Sequence, residues 1–133
     1  MHAPLPTTLD PPFLAPIETS IDLPVPPSIN DVLRNHGKGT RIKQAWIQNA
    51  DMHVMARGGL RKLARMPGKF EVTLVLAEDL CGCDLDNCVK LAIDYARRLK
   101  LIVNDDKRYM RGVHIVWGEA PAGCRLILRS VAA

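Results

Sequence analysis

A chain of 133 residues, 47% apolar and 24% charged, suits one globular domain with its own core and is too short for two. The net charge is +4, and no apolar run approaches the roughly 20 residues that a membrane helix needs. Aromatic residues total 5%, which argues against a single-strand binder built on base stacking.

The opening MHAPLPTTLDPPFLAP lacks both a positive start and a continuous apolar centre, so no secretory signal is expected and the cytoplasm is the expected compartment. Five prolines fall in residues 1–20, which read as a Pro-rich flexible tail before a single domain over 21–133. A short strand at about Ile21–Val25 ends at Pro26-Pro27. The stretch PPSINDVLRNHGKGT is rich in turn residues and reads as a loop. Thr40 is the expected N-cap of a helix whose inner face carries Ile42, Ala45, Trp46, Ala50 and His53 or Val54. Gly58-Gly59 ends or bends it, and LRKLARM adds a turn or two. KFEVTLVLAE alternates Phe70, Val72, Leu74 and Leu76 against Glu71, Thr73 and Val75, a strand with one face buried.

Residues 84–100 form a second, amphipathic helix, with Leu85, Cys88, Val89, Ala92, Tyr95, Ala96 and Leu99 in one arc. YMRGVHIVWGE and GCRLILRSV are two further strands, and EAPAG between them suits a hairpin. The expected fold is α/β (mixed α+β), in the order strand, helix, strand, helix, strand, strand, with two main helices on a mixed sheet.

Charge is unevenly spread. Residues 1–33 carry four acids and no Lys or Arg, whereas residues 34–69 carry nine Lys and Arg against Asp51 alone. Such a block is either a phosphate-binding surface or a solvated helix face. The four cysteines do not match the usual zinc spacings, since Cys81, Cys83 and Cys88 follow C-x-C-x4-C and Cys124 lies far off. They read as buried or half-buried thiols, with a zinc module as the rival.

The acids of CDLDNCVKLAIDYARRLKLIVNDD carry the chemistry. Asp84 and Asp86 stand at the start of the helix, where they suit its dipole, and Asp86 or Asn87 suits a cap. Asp86, Lys90 and Asp94 also suit i,i+4 pairs on a surface face. Against that, two carboxylates crowd one turn, and a bound cation is the usual remedy for crowded anions. Asp105-Asp106 follow a short apolar run, and a chain returning to the sheet there brings an acid back towards the first pair. Three oxygen ligands with open positions suit Mg²⁺ or Mn²⁺.

DLDN-x-x-K with NDD about fifteen residues on, and LPVPPSIN upstream, resemble the RusA family of Holliday junction resolvases over roughly residues 21–110. The resemblance implies a RusA-like nuclease domain: a metal-dependent endonuclease that cuts four-way DNA junctions as a homodimer. It maps the catalytic, metal-holding aspartates onto Asp84, Asp86 and Asp105 and the motif lysine onto Lys90. Asn104 stands where the family often has an acid, so Asp106 competes with Asp105 as third ligand. Relatives carry arginines before the first aspartate, where this chain has LCGC. DNA contacts are then expected from Lys38, Arg41 and Lys43, with Asn30 near the DNA or holding its loop. His36 and His114 read as surface or strand residues, and Trp46 and Trp117 as core. Rival readings are a non-catalytic DNA-binding protein and a nuclease acting on forks, flaps or D-loops.

Overall fold

Periodicity 2 in residues 70–76 and 3.6 in residues 89–98 sets the frame on which the rest packs. The computed structural model describes residues 15–34, 36–82 and 84–131, the side chains of residues 31, 34 and 36 excepted. The order is β1 (Glu18–Pro24), α1 (Ile29–Arg34), α2 (His36–Ala56), β2 (Phe70–Leu76), α3 (Val89–Arg98), β3 (Met110–Trp117) and β4 (Gly123–Ser130). Two 3₁₀ turns, Leu60–Lys62 and Leu85–Asn87, lead out of α2 and into α3. The mixed α+β fold is as expected, and β1 begins inside the stretch expected to be tail, of which residues 1–14 lie outside the described residues. No helix among the described residues is long and apolar enough to cross a membrane.

The sheet has four strands in the order β1-β4-β2-β3. β4 runs antiparallel to both β1 and β2, and β3 runs parallel to β2. The expected hairpin between the last two strands is therefore not formed. β4 crosses β2 and fills the middle of the sheet. The connection straddles the end of β2, where the Gly118 N–H donates to the Leu76 carbonyl and the Ala77 N–H to that of Gly123. The reason is burial. Cys124, Leu126 and Leu128 of β4 are fully buried, whereas β3 carries Arg111, Gly112 and His114 and keeps Val113 and Trp117 more than two-fifths exposed. The apolar strand takes the centre and the mixed one takes the edge. Trp117 is thus not a core residue.

Phe70, Val72, Leu74 and Leu76 of β2 point to the helix side and are at most 1% exposed. Each such side chain contributes about 1.5–3 kcal/mol by leaving water. Trp46, Ala50 and Val54 make the buried stripe of α2, while Ile42, 37% exposed, and the exposed Ala45 lie outside it. Trp46 meets Tyr95 of α3 edge to face at 5.4 Å between ring centroids, and its Nε1–H donates to the Pro24 carbonyl at 3.0 Å. Tyr95 donates its hydroxyl to Asp51 Oδ1 at 2.6 Å. Burial first, and then the Asp51 carboxylate, push the Tyr95 pKa up, so it remains a donor.

The segment expected to be a loop is helical on both sides of residue 35. Ser28 opens α1, its carbonyl accepting the Val32 N–H and its Oγ the Asn30 N–H. Thr40 lies inside α2 and caps nothing. Gly39 permits the close crossing of α1 and α2, since a Cβ there would stand 2.1 Å from the Val32 carbonyl oxygen. α2 ends as expected at Gly58, whose φ of 106° favours glycine and whose N–H donates to the Met55 carbonyl.

Candidate functional site

Buried β2 and the turn after it deliver residues 84–87 to the rim of the sheet, next to β3. Asp84 and Asp86 are exposed there. Neither does the work expected of a helix cap: Asp84 precedes the 3₁₀ turn without a side-chain bond to it, and α3 starts from Cys88 with no side-chain cap. Nor does Asp86 pair with Lys90. Residues 85–87 are a 3₁₀ turn rather than the first turn of an α-helix, so Asp86 does not lie one helical turn below Lys90.

Lys90, on the exposed side of α3, joins two acids from different parts of the chain. Its Nζ lies 3.1 Å from Asp94 Oδ1 and 3.2 Å from Asp105 Oδ2. Asp94 raises the Lys90 pKa most and Asp105 adds to it against the opposing effect of burial, which keeps the ammonium charged. Asp94 Oδ1 is itself buried, with Lys90 in ion-pair contact but no partner at hydrogen-bond angles. Arg97 Nη1 stands 3.5 Å from Asp105 Oδ1 and also donates to Asn104 Oδ1 at 3.4 Å.

The neighbouring Asp106 turns elsewhere. Its carboxylate takes Arg108 Nη2 at 2.7 Å, Arg108 Nε at 3.2 Å and the Arg108 backbone N–H at 2.9 Å. The Arg108 guanidinium holds the Asp106 carboxyl below its usual range. Of the two candidates for a third ligand, Asp105 is the one brought to Lys90.

The PPSIN segment reaches the same region. Asn30 Nδ2 stands 3.5 Å from Asn87 Oδ1, at the outer limit of a hydrogen bond, across 57 positions of sequence. Stretches 26–30, 84–90 and 104–105 therefore share one side of the molecule through the Asn30–Asn87 and Lys90–Asp105 contacts. No protein-family model matches the chain, and no curated protein matches its sequence. The likeness to the RusA family rests on those motifs alone.

Among the described residues, no group of three or more His, Cys, Asp or Glu side chains is gathered closely enough to hold a metal ion. The donor chemistry of Asp84, Asp86 and Asp105 fits a hard divalent cation, which takes carboxylate oxygens and keeps waters. Their arrangement falls short of a closed site, and Lys90 and Arg97 meet the charge of Asp105. The thiols do not make a metal centre of the described residues either. Cys81 and Cys88 sulfurs lie 4.0 Å apart, Cys88 and Cys124 are buried, and Cys83 lies outside the described residues. Burial pushes the Cys124 thiol up to about 12, with Cys81 and Asp22 adding to the effect.

Of the expected DNA contacts, Lys38 and Arg41 are exposed on α2, and Lys43 is half-buried at a cleft facing α3. Arg57, part of the same basic block, is engaged by Asp22 at 3.4 Å. The side chain of His36 lies outside the described residues, and His114 is exposed on β3. Sequence reading missed Arg97 and Arg98, which face Lys43 across the cleft. Their signal was present, as two adjacent arginines in the last turn of the helix that carries Lys90.

Proposed function

We propose that this protein is a divalent-metal-dependent, structure-specific endonuclease that cuts four-way DNA junctions by paired symmetric nicks, acting in the cytoplasm as a homodimer. The observation that carries the reading is the placement of Asp84 and Asp86, two carboxylates at one turn that neither cap nor pair among the described residues, on the side where Lys90 holds Asp105 at 3.2 Å. Two exposed carboxylates with no partner among the described residues, on the side that carries Lys90 and Asp105, are oxygen donors of the kind a phosphate-cutting metal site uses.

Asp84, Asp86 and Asp105 would hold Mg²⁺ or Mn²⁺, which when bound supplies a polarised water and neutralises phosphate charge. The chain's own groups do the rest. Lys90 presents a fixed positive charge to the non-bridging oxygens of the phosphate, and Asp94 holds that ammonium in place. Asn30 and Asn87 brace the turn that carries the two exposed acids. The basic residues of α2 bind phosphates without reading bases, which suits recognition of a branched shape. A two-fold dimer would present two such sites to opposing strands. The exposed β3 edge, with Val113 and Trp117, is a candidate surface for that pairing.

The experiment is a synthetic four-way junction incubated with the protein in Mg²⁺ or in EDTA. Symmetric nicks in Mg²⁺ alone support the reading; forks, flaps and D-loops in parallel define the preferred branch. One observation favours a second reading, a non-catalytic DNA-binding protein: Asp105 is already neutralised by Lys90 and Arg97. That reading expects junction binding without Mg²⁺-dependent nicking.

A further inference from the structure

Two cavities on the helix side of the molecule share Lys43, Ile47 and Arg98, and so form one groove. One part, about 240 Å³, lies between α2 and α3. The other, about 540 Å³, continues between α2 and α1 past Val32 and Leu33. Its walls are cationic on both sides, with Lys43 on α2 and Arg97 and Arg98 on α3. Asp94 is the one acid among the described lining residues, and Lys90 is paired with it. Arg97 belongs both to the groove and to the acid site, since its Nη1 stands 3.5 Å from Asp105 Oδ1.

Arginines in a helix's last turn complement its dipole, and that alone accounts for the sign of Arg97 and Arg98. It does not account for Lys43 on a different helix, facing them across an open groove. Cations on two opposed walls, running towards a site of carboxylates, match a linear polyanion better than a single small anion.

We propose that this groove seats the phosphodiester backbone of one DNA strand, with Lys43 and Arg98 taking phosphates from opposite walls. Arg97 guides the strand from the groove to Asp105. The inference rests on the endonuclease reading and adds to it the path by which a strand reaches the acids, using α3 as well as the basic block of α2.

The test is fluorescence anisotropy of a labelled four-way junction with the full chain in EDTA, titrated in KCl. Removing two phosphate contacts in Lys43→Ala/Arg98→Ala is expected to weaken binding about tenfold or more and to lower the slope of log affinity against log salt by about 2. Lys43→Arg/Arg98→Lys keeps both charges and is expected to keep the wild-type slope. Arg61→Ala/Lys62→Ala, in the exposed turn after α2, is expected to leave the slope unchanged. A wild-type slope in Lys43→Ala/Arg98→Ala, or an equal loss in Arg61→Ala/Lys62→Ala, overturns the groove while junction binding and nicking leave the endonuclease reading standing. Absence of any junction binding by the wild-type chain at low salt overturns both.

Discussion

Lys90 Nζ lies 3.2 Å from Asp105 Oδ2, joining helix α3 to the loop that follows it. Lys90 is more than half exposed, so the pair contributes at most about 1 kcal/mol to stability. Its placement matters for charge rather than for the fold. Lys90→Ala is expected to melt within a few degrees of wild type yet to slow single-turnover junction cleavage about a hundredfold. Pre-bound junction with added Mg²⁺ measures the rate, and thermal melting measures the fold.

Asp94 holds the same ammonium at 3.1 Å without standing among the proposed metal-holding acids. Asp94→Asn is expected to lower the cleavage rate less than Lys90→Ala and to bind the junction as well as wild type or better, since it removes an acid from the proposed strand groove. The double variant is expected to be no slower than Lys90→Ala, because Asp94 acts through Lys90. A cycle of four single-turnover rates checks this.

Asp106 differs from Asp105 by its partner. The Arg108 guanidinium takes both its oxygens, Nε donating to Oδ1 and Nη2 to Oδ2. Asp106→Asn is expected to cleave within about threefold of wild type, whereas Asp105→Asn is expected to lose cleavage by about a hundredfold or more. Asp84→Asn is expected to be equally inactive while binding the junction as well as wild type or better, since it removes a negative charge that faces DNA. Gel shifts in Ca²⁺ separate binding from cutting.

Gly39 reverses a familiar sign. Replacing a helical glycine by alanine ordinarily stabilises by up to about 0.5–1 kcal/mol, and Gly39 stands in the first turn of α2. Here the added Cβ meets the Val32 carbonyl oxygen, which belongs to backbone and cannot turn aside. Gly39→Ala is expected to destabilise by about 1–3 kcal/mol, read as a lower urea midpoint.

Cys124 makes stability fall with alkali. Its thiol holds a proton up to about 12 in the folded chain, against an ordinary 9.0. The unfolded chain loses that proton first, so the contribution is complete below pH 9 and is lost as pH rises from 9 to about 12. Urea midpoints at pH 8 and pH 10.5 are expected to differ more for wild type than for Cys124→Ala.

The strands and helices legible in sequence were those with a repeated local pattern. The alternation from Phe70 to Leu76 and the apolar arc of α3 each place their own residues without knowledge of a partner. Strand pairing depends on distant competition, and EAPAG has a hairpin's length although β4 leaves β3 to lie between β1 and β2. α1 spans six residues, too few for a helical period to stand out among its turn formers. At the site, the motifs gave Asp84, Asp86, Lys90 and Asp105, and the structure joins only the last two by contact. Asp94, Arg97 and Arg98 matter through what they face across space, which spacing along the chain does not carry.

Mn²⁺ binding to the junction complex, followed by electron paramagnetic resonance, tests the convergence of the three carboxylates most directly. Wild type and Asp106→Asn are expected to bind alike, with Asp84→Asn, Asp86→Asn and Asp105→Asn each weakened by about tenfold or more. Wild-type Mn²⁺ affinity in Asp105→Asn would contradict the account.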